Sequence, residues 1–509
     1  MSTLTIGLDS GLTVTKAVLF DETGRPLASA SRRLPHSSPH PRWVERDVDG
    51  MWEASAAALR ELLDTAGVRG SDIAGIGVTA HGDGLYLLDA QGRPTRPGIV
   101  SLDSRAHQVV ERWDADGRTE RNLELAGQPF FPAGPQPILA WLVEHEPEVV
   151  ERTRWLLPCK DVIKQRLTGE VSTDPTEASA GWCDVHTQEY SADVLALLDL
   201  AGHREKLPPV VPCTDVAGRV TAAAAEATGL AEGTPVVAGL HDVDASAIGT
   251  GAHRSGQLTM IAGTYSINEV IADDPVPGED WFARSFLDKG RWMHMAISPA
   301  SATNLEWFVQ KLCAADVREA ESAGADPFAF IETEVDAVGR DAGGIVFLPF
   351  LYGSPHGAEP SGTFLGLRGW HDRGHLLRAV IEGVVFNHRT HVDALRTAFA
   401  VTEARLTGGA TNSRRWAQMF ADATGLEVVL TDSAEAGALG TAMCAMVGTG
   451  LHDSVESAIR ATVHDTDRLV PDDGEEREHL ESGYEHYRRV IDALEGAWEP
   501  RGSAARPSG

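Results

Sequence analysis

The chain has 509 residues, too many for one hydrophobic core, so two large domains are expected. Its 74 acidic and 44 basic residues leave a net charge of −30, which argues against nucleic acid or an anionic membrane as a partner. Five scattered cysteines (Cys159, Cys183, Cys213, Cys313, Cys444) form no C-x-x-C pair, and neither a signal peptide nor an apolar run of membrane length is present; this fits a cytoplasmic protein with free thiols.

Taken in order, the chain opens on a strand, Thr5-Ile6-Gly7-Leu8-Asp9. A short turn through Ser10 to Val14 follows, then a second strand to Phe20 and a third from Pro26 to Arg33. Backbone N–H groups and hydroxyls of such a turn suit phosphate oxygens, and Asp9 then faces a Mg²⁺ bound to them. Ordinary turn chemistry accounts for the same residues. Asp47 or Asp49 caps a helix running through Leu63, and strands are expected at Ile73–Thr79 and Leu85–Asp89. Between these strands lies Ala80-His81-Gly82-Asp83-Gly84. There a carboxylate can accept two hydrogen bonds from neighbouring hydroxyls, as polyol recognition requires; the plain alternative is a turn with satisfied side chains. Ser101-Leu102-Asp103-Ser104-Arg105 is a second polar cluster, and Trp155 to Leu167 reads as an ordinary helix.

Near mid-chain, Val236-Val237-Ala238-Gly239-Leu240-His241-Asp242-Val243-Asp244-Ala245 reads as an apolar strand, a tight turn and a helix start. A carboxylate here lies at a strand's carboxyl end, where α/β proteins do chemistry. It equally fits the N-cap of the helix. Residues 257–271, with Gly263-Thr264 in the turn, repeat the design of residues 4–20, which suggests an internal duplication with two phosphate-holding hairpins. Gly408-Gly409-Ala410-Thr411-Asn412 then opens another helix, where the backbone can approach a ligand closely. Glu475–Leu494 is a charged surface helix, and 500–509 is expected to be disordered. Only six lysines occur and none follows a glycine, so there is no Walker A loop; a nucleotide enzyme of this sequence must hold phosphates with hairpins and helix ends.

Together these pieces resemble the FGGY family of carbohydrate kinases. The C-terminal family signature is met by Gly362-Thr363-Phe364-Leu365-Gly366-Leu367 and, seven residues on, His375-Leu376-Leu377-Arg378-Ala379-Val380-Ile381-Glu382; the N-terminal one is partly met between Pro135 and His145. The resemblance implies an α/β fold of two ribonuclease H-like (actin/hexokinase-type) domains with a cleft between them, 1–248 carrying the sugar site and 249–499 the nucleotide. It implies ATP and Mg²⁺ as cofactors. Asp242 would be the catalytic base, and His81, Asp83, Asp103 and Asp242 the substrate contacts. ATP would be bound by Ser10, Gly11, Thr13, Lys16, Gly263, Thr264, Gly408, Gly409 and Asn412, with Asp9 on Mg²⁺ through water. Asp244 falls where the family has a small residue and takes a structural or surface role.

Within the family, residues 80–89 and 101–105 most resemble L-xylulose kinases and erythritol kinases. L-xylulose kinases carry a basic residue where this chain has Asp83. A carboxylate there would repel a sugar acid, so the expected substrate is neutral, either an L-xylulose-like ketopentose or a tetritol, phosphorylated on a primary hydroxyl. D-xylulose is the next alternative, and an actin- or heat-shock-type ATPase the rival from another class. A soluble homodimer is the default assembly.

Overall fold

A computed structural model describes residues 3–356, 360–494 and 498; the expected tail at 500–509 lies outside the described residues. Contacts divide the chain into two compact units. The first joins Met1–Ser255 to Ile271–His294 and Thr431–His464, and the second joins Gly256–Val270 to Met295–Leu430 and the segment from Asp465 on. The division is therefore not a single cut at 248/249.

In the first unit β1 (Leu4–Ser10), β2 (Val14–Phe20) and β3 (Pro26–Arg33) form the expected meander. With β4 (Ile73–Ala80), β5 (Val216–Arg219) and β6 (Pro235–Val237) they make one sheet, ordered β3-β2-β1-β4-β6-β5. β1, β4 and β6 run parallel, so both faces need cover, and their residues are buried almost without a break. On one face lies α1 (Val48–Ala66), capped at its start by Asp47 and ended by Gly67 in the left-handed region; α2 (Cys159–Thr168) joins the same core. On the other face lie α3 (Asp242–Gly249) and α6 (Ala436–Gly448). α6 comes close because its neighbours lack side chains: a Cβ on Gly7 would overlap the Ala438 carbonyl, and one on Gly77 the Thr441 carbonyl. This glycine-licensed contact is what draws residues 431–464 into the first unit.

The second unit repeats the motif. β7 (Gln257–Ala262) and β8 (Ser266–Ala272) form an antiparallel hairpin, and β7 lies parallel to β10 (Glu403–Gly408), as β1 does to β4. Both hairpin loops are three residues long, Gly11–Thr13 and Gly263–Tyr265. The strand β11 (Val428–Thr431) continues the sheet beside β10. α4 (Arg373–Arg396) and α5 (Arg414–Thr424) pack on each other. The signature residues do structural work here: Thr363–Leu365 pairs with Val346–Leu348, and Phe364 packs between Phe308 and Phe347. Asp372 and His375 form the capping box of α4, and the buried Arg378 pairs with Glu382.

Two local expectations change. Trp155–Leu157 is a strand paired with Tyr86–Leu88, and the helix begins only at Cys159. Pro158 separates them, because a proline disfavours helical geometry at the residue before it. The Glu475–Leu494 helix, charged as expected, still buries a stripe formed by Leu480, Tyr484, Tyr487 and Val490. Among the described residues no helix is long and apolar enough to cross a membrane.

Candidate active site

Asp9 and Lys16 face each other in register across the first hairpin. The Lys16 ammonium is already engaged, donating to both Glu435 oxygens at 2.9 and 3.0 Å. Ser10 Oγ is buried without a protein partner, while Gly11 is half-buried and Thr13 exposed. Arg46, which the sequence did not single out, is buried behind the loop and donates to the carbonyls of Gly11 (3.3 Å) and Leu12. It thereby holds the loop's carbonyls inward. Burial, then Asp242 and Glu435, push the Asp9 carboxyl up to about 7, against the pull of Lys16. Crowded negative charge of this kind is relieved by a cation. Among the described residues no three metal-ligating side chains cluster, so a Mg²⁺ at Asp9 would draw its remaining ligands from water and phosphate.

The sugar cluster is built around two residues with tight constraints. Asp83 sits in the left-handed region (φ 57), which non-glycine residues occupy at some cost and mostly where the surroundings require it. Its carboxylate pairs with Arg284 of β9 (Phe282–Ser285), Oδ1 to Nη2 at 2.8 Å. Arg284 was missed in the sequence: a lone arginine on a later strand carries no local motif. This pair also changes the argument from Asp83, whose charge is neutralised rather than presented to the substrate. His81 is buried, with Nδ1 donating to the Gly82 carbonyl (3.2 Å) and Nε2 accepting from the Tyr86 hydroxyl (3.1 Å). Burial and then Arg46 lower its pKa to about 4, so both ring nitrogens are committed in a neutral imidazole. Asp103 is buried completely and spends its carboxylate on Arg105 and on the Val44 N–H. The structure therefore does not bring it to the other predicted contacts as a free acceptor.

Asp242 is the first residue of α3, and the N-cap position belongs to His241, whose side chain makes no cap bond. Neither Asp242 nor Asp244 is the cap. The turn is held from behind. Gly239 has φ +73, and a Cβ there would collide with the Val78 carbonyl. Lys160 and Lys164 donate to the Ala238 carbonyl at 3.1 and 3.4 Å, and Thr79 to that of Leu240 at 2.7 Å. The His241 N–H donates to Thr176 Oγ1 at 2.9 Å, and that hydroxyl donates to Asp174. Lys160 in turn pairs with Asp161 and Asp174, all fully buried. A network so thoroughly bonded makes the turn rigid.

The Asp242 side chain is 34% exposed, with Oδ1 accepting the Val243 N–H at 2.9 Å and lying 3.1 Å from His241 Nδ1. Burial opposes its ionisation, but His241 holds the carboxyl below the usual range. The neighbouring carboxyls go the other way. Burial pushes Asp244 to about 7 and Glu177 to about 8, in each case more than His241 offsets. His241 is under opposing influences. Burial resists its charge, while Glu177 and Asp242 raise its pKa to about 10; yet Arg284 Nη1 lies 3.3 Å from Nε2. A guanidinium can only donate, so this contact needs a bare Nε2, which places the ring's proton on Nδ1.

The second unit holds a cavity of about 650 Å³. Gly263, Thr264, Gly409 and Asn412 all line it, with Trp416 and Ile381 forming apolar wall. Gly408 ends β10 directly before this turn, and Ser413, not Asn412, caps α5. Thr303 donates to the Thr264 carbonyl at 3.1 Å, fixing the hairpin loop at the cavity's edge. Four of the residues predicted to hold ATP are thus gathered at one cavity, of a size that takes a nucleoside.

The chain matches the models for the FGGY family of carbohydrate kinases over both domains, the N-terminal one at residues 4–249 and the C-terminal one at 258–449. It is 35% identical to the L-xylulose/3-keto-L-gulonate kinase of Escherichia coli, over 96% of this chain and 97% of the relative. It is also 35% identical to a probable L-xylulose kinase of Pasteurella multocida, over 87% and 90% of the two chains. Among solved structures, the xylulose kinase of Rhodospirillum rubrum superimposes with a TM-score of 0.84 at 31% identity, covering 97% of this chain and 99% of the other. By its sequence along almost its whole length and by its two-domain α/β fold, this chain belongs to the FGGY family of carbohydrate kinases and is a sugar kinase.

Proposed function

We propose that this sugar kinase transfers the γ-phosphoryl group of ATP to a primary hydroxyl of an L-xylulose-like ketopentose, with Asp242 as general base. The observation that carries this reading is the contrast among the clustered carboxyls. Asp242 stays ionised and partly open, whereas burial pushes Asp9, Asp244 and Glu177 up to between about 7 and 8. Environments that drive neighbouring carboxyls apart are how acid and base roles are divided.

Phosphoryl transfer has a loose transition state, so the protein's work is alignment and neutralisation of charge. Asp242 Oδ1 is tied to the backbone, which leaves Oδ2 to orient the attacking hydroxyl and take its proton. In the second unit, the cavity beside Gly409 and Asn412 suits the adenosine, and Gly263 and Thr264 the terminal phosphate. Asp9 would hold Mg²⁺, which when bound neutralises phosphate charge. Arg46 keeps the hairpin carbonyls turned away so that the Ser10 hydroxyl and Thr13 offer donors, while the Gly11 N–H closes the turn on the Val14 carbonyl. Asp103 contributes by shaping the cluster through Arg105 rather than by touching sugar.

The relatives bearing L-xylulose in their names favour a ketopentose over a tetritol. A sugar acid is the second reading. The Escherichia coli relative also bears 3-keto-L-gulonate in its name, which is the observation that favours it. The test is Asp242→Asn, assayed with ATP and a panel of ketopentoses, tetritols and sugar acids. Turnover should fall by about 10²–10⁴-fold, while calorimetric sugar affinity changes little. Near-normal turnover would remove Asp242 from the mechanism, and a wild-type preference for D-xylulose or a tetritol would replace the substrate.

A further inference from the structure

We propose that the Arg284–Asp83 pair sets the substrate class: Arg284 is the sugar-recognising donor, and Asp83 is the internal counter-ion that keeps it from accepting an acid. The inference rests on the first unit being the sugar-binding unit.

Arg284 is buried, and each of its nitrogens is anchored. Nε donates to Gln128 Oε1 at 3.1 Å; Nη1 reaches His241 Nε2 at 3.3 Å and Asp83 Oδ2 at 3.5 Å; Nη2 donates to Asp83 Oδ1 at 2.8 Å. A guanidinium has five N–H groups, so one on Nη2 is left over. Through Nη1 and His241 the guanidinium is one residue from Asp242, the proposed base. Donor-only nitrogen suits an oxygen that can only accept, as the carbonyl of a ketose does.

Charge then decides between neutral and acidic sugars. Paired, Arg284 and Asp83 sum to zero, and a carboxylate arriving here must compete with Asp83 while facing Asp242 as well. Without the Asp83 charge, a buried guanidinium is left unpaired, which is strongly unfavourable. A substrate carboxylate would then repay that cost. The position is also suited to a clean substitution, since asparagine tolerates the left-handed backbone that Asp83 adopts.

The experiment compares kcat/KM for a neutral ketopentose and for a 3-hexulosonate in the full-length wild type, Asp83→Asn, Arg284→Lys and the double variant Asp83→Asn/Arg284→Gln. In Asp83→Asn the acid-to-neutral ratio should rise at least about tenfold over wild type, and the double variant should lose that gain. Arg284→Lys keeps the charge but not the fork, so it should raise KM for the ketopentose about tenfold with a much smaller change in kcat. An acid-to-neutral ratio in Asp83→Asn within about twofold of wild type overturns the proposal, as does an unchanged ketopentose KM in Arg284→Lys if Asp83→Asn does not fold. A wild type that uses neither sugar fails the substrate reading and this inference with it. A wild type that uses one, with an unmoved ratio, fails the inference alone. The ratio does not depend on which residue takes the proton.

Discussion

Gly82 leaves the space that the His241 ring occupies: a Cβ on Gly82 would lie 1.8 Å from the ring's Nε2. The glycine just beyond β4 and the histidine before Asp242 are therefore one fitted pair, linking the two segments proposed to hold the sugar and to take its proton.

Gly82→Ala should displace His241, and with it the contacts to Arg284 and Asp242, without removing any polar group. Misplacement by about 1 Å near a reacting centre can cost 10²-fold, so kcat should fall by about that factor. Adding His241→Ala to Gly82→Ala should cost little more, because the two changes break the same contact. Steady-state kinetics on the two single variants and the double variant checks this; additive losses would show that Gly82 acts elsewhere.

Asp244 predicts a pH-dependent stability. Its folded pKa, about 7, lies above the usual value because burial outweighs the help of His241 and Arg284. A carboxyl raised in this way stabilises the fold fully below about pH 3.9, the unfolded value, and that contribution is lost as pH rises through about 7. Asp244→Asn, which cannot ionise, should gain on wild type by on the order of 2–3 kcal/mol between pH 5 and pH 8.5. Urea midpoints at the two pH values decide; an equal difference at both would mean Asp244 is paired.

Lys160 holds Asp161, Asp174 and the Ala238 carbonyl at once. Lys160→Met would leave buried carboxylates short of a cation and should cost about 3–5 kcal/mol. Equilibrium unfolding measures this. A cost below about 1 kcal/mol would mean that water or Lys164 takes over.

Ala302 lines the second-unit cavity beside Gly263 and Thr264. Ala302→Trp should fill it, weakening calorimetric binding of a non-hydrolysable ATP analogue at least about tenfold while leaving sugar affinity unchanged. Loss of sugar binding instead would place the sugar in this cavity.

The fold was largely legible in the sequence, because strands, hairpins and small-residue helices leave local patterns. Both boundaries of β3, and the start of the last helix at Glu475, agree residue for residue with the sequence reading. Before Pro158 the sequence is ambiguous, because three apolar residues, Trp155–Leu157, fit helix or strand alike and only their pairing with Tyr86–Leu88 decides. The gathering of Gly263, Thr264, Gly409 and Asn412 followed motifs of fixed spacing. Arg284, Arg46 and Lys160 did not emerge, since each acts through a partner far along the chain, and a single cation carries no spacing to read. Asp103 shows the converse: a polar cluster that resembled a binding loop is largely closed on itself by Arg105.

The packing of α6 against β1 and β4 has a consequence for biosynthesis. The first unit contains the earliest residues made, yet one face of its sheet is covered by residues 436–448. A ribosome adding about 5–20 residues per second would take roughly 10–40 s to travel from Gly249 to the start of that helix. During this interval the apolar face around Val18, Phe20 and Ile248 waits for its cover, which is a window for chaperone capture or aggregation. A gene split at 248/249 would make that window permanent.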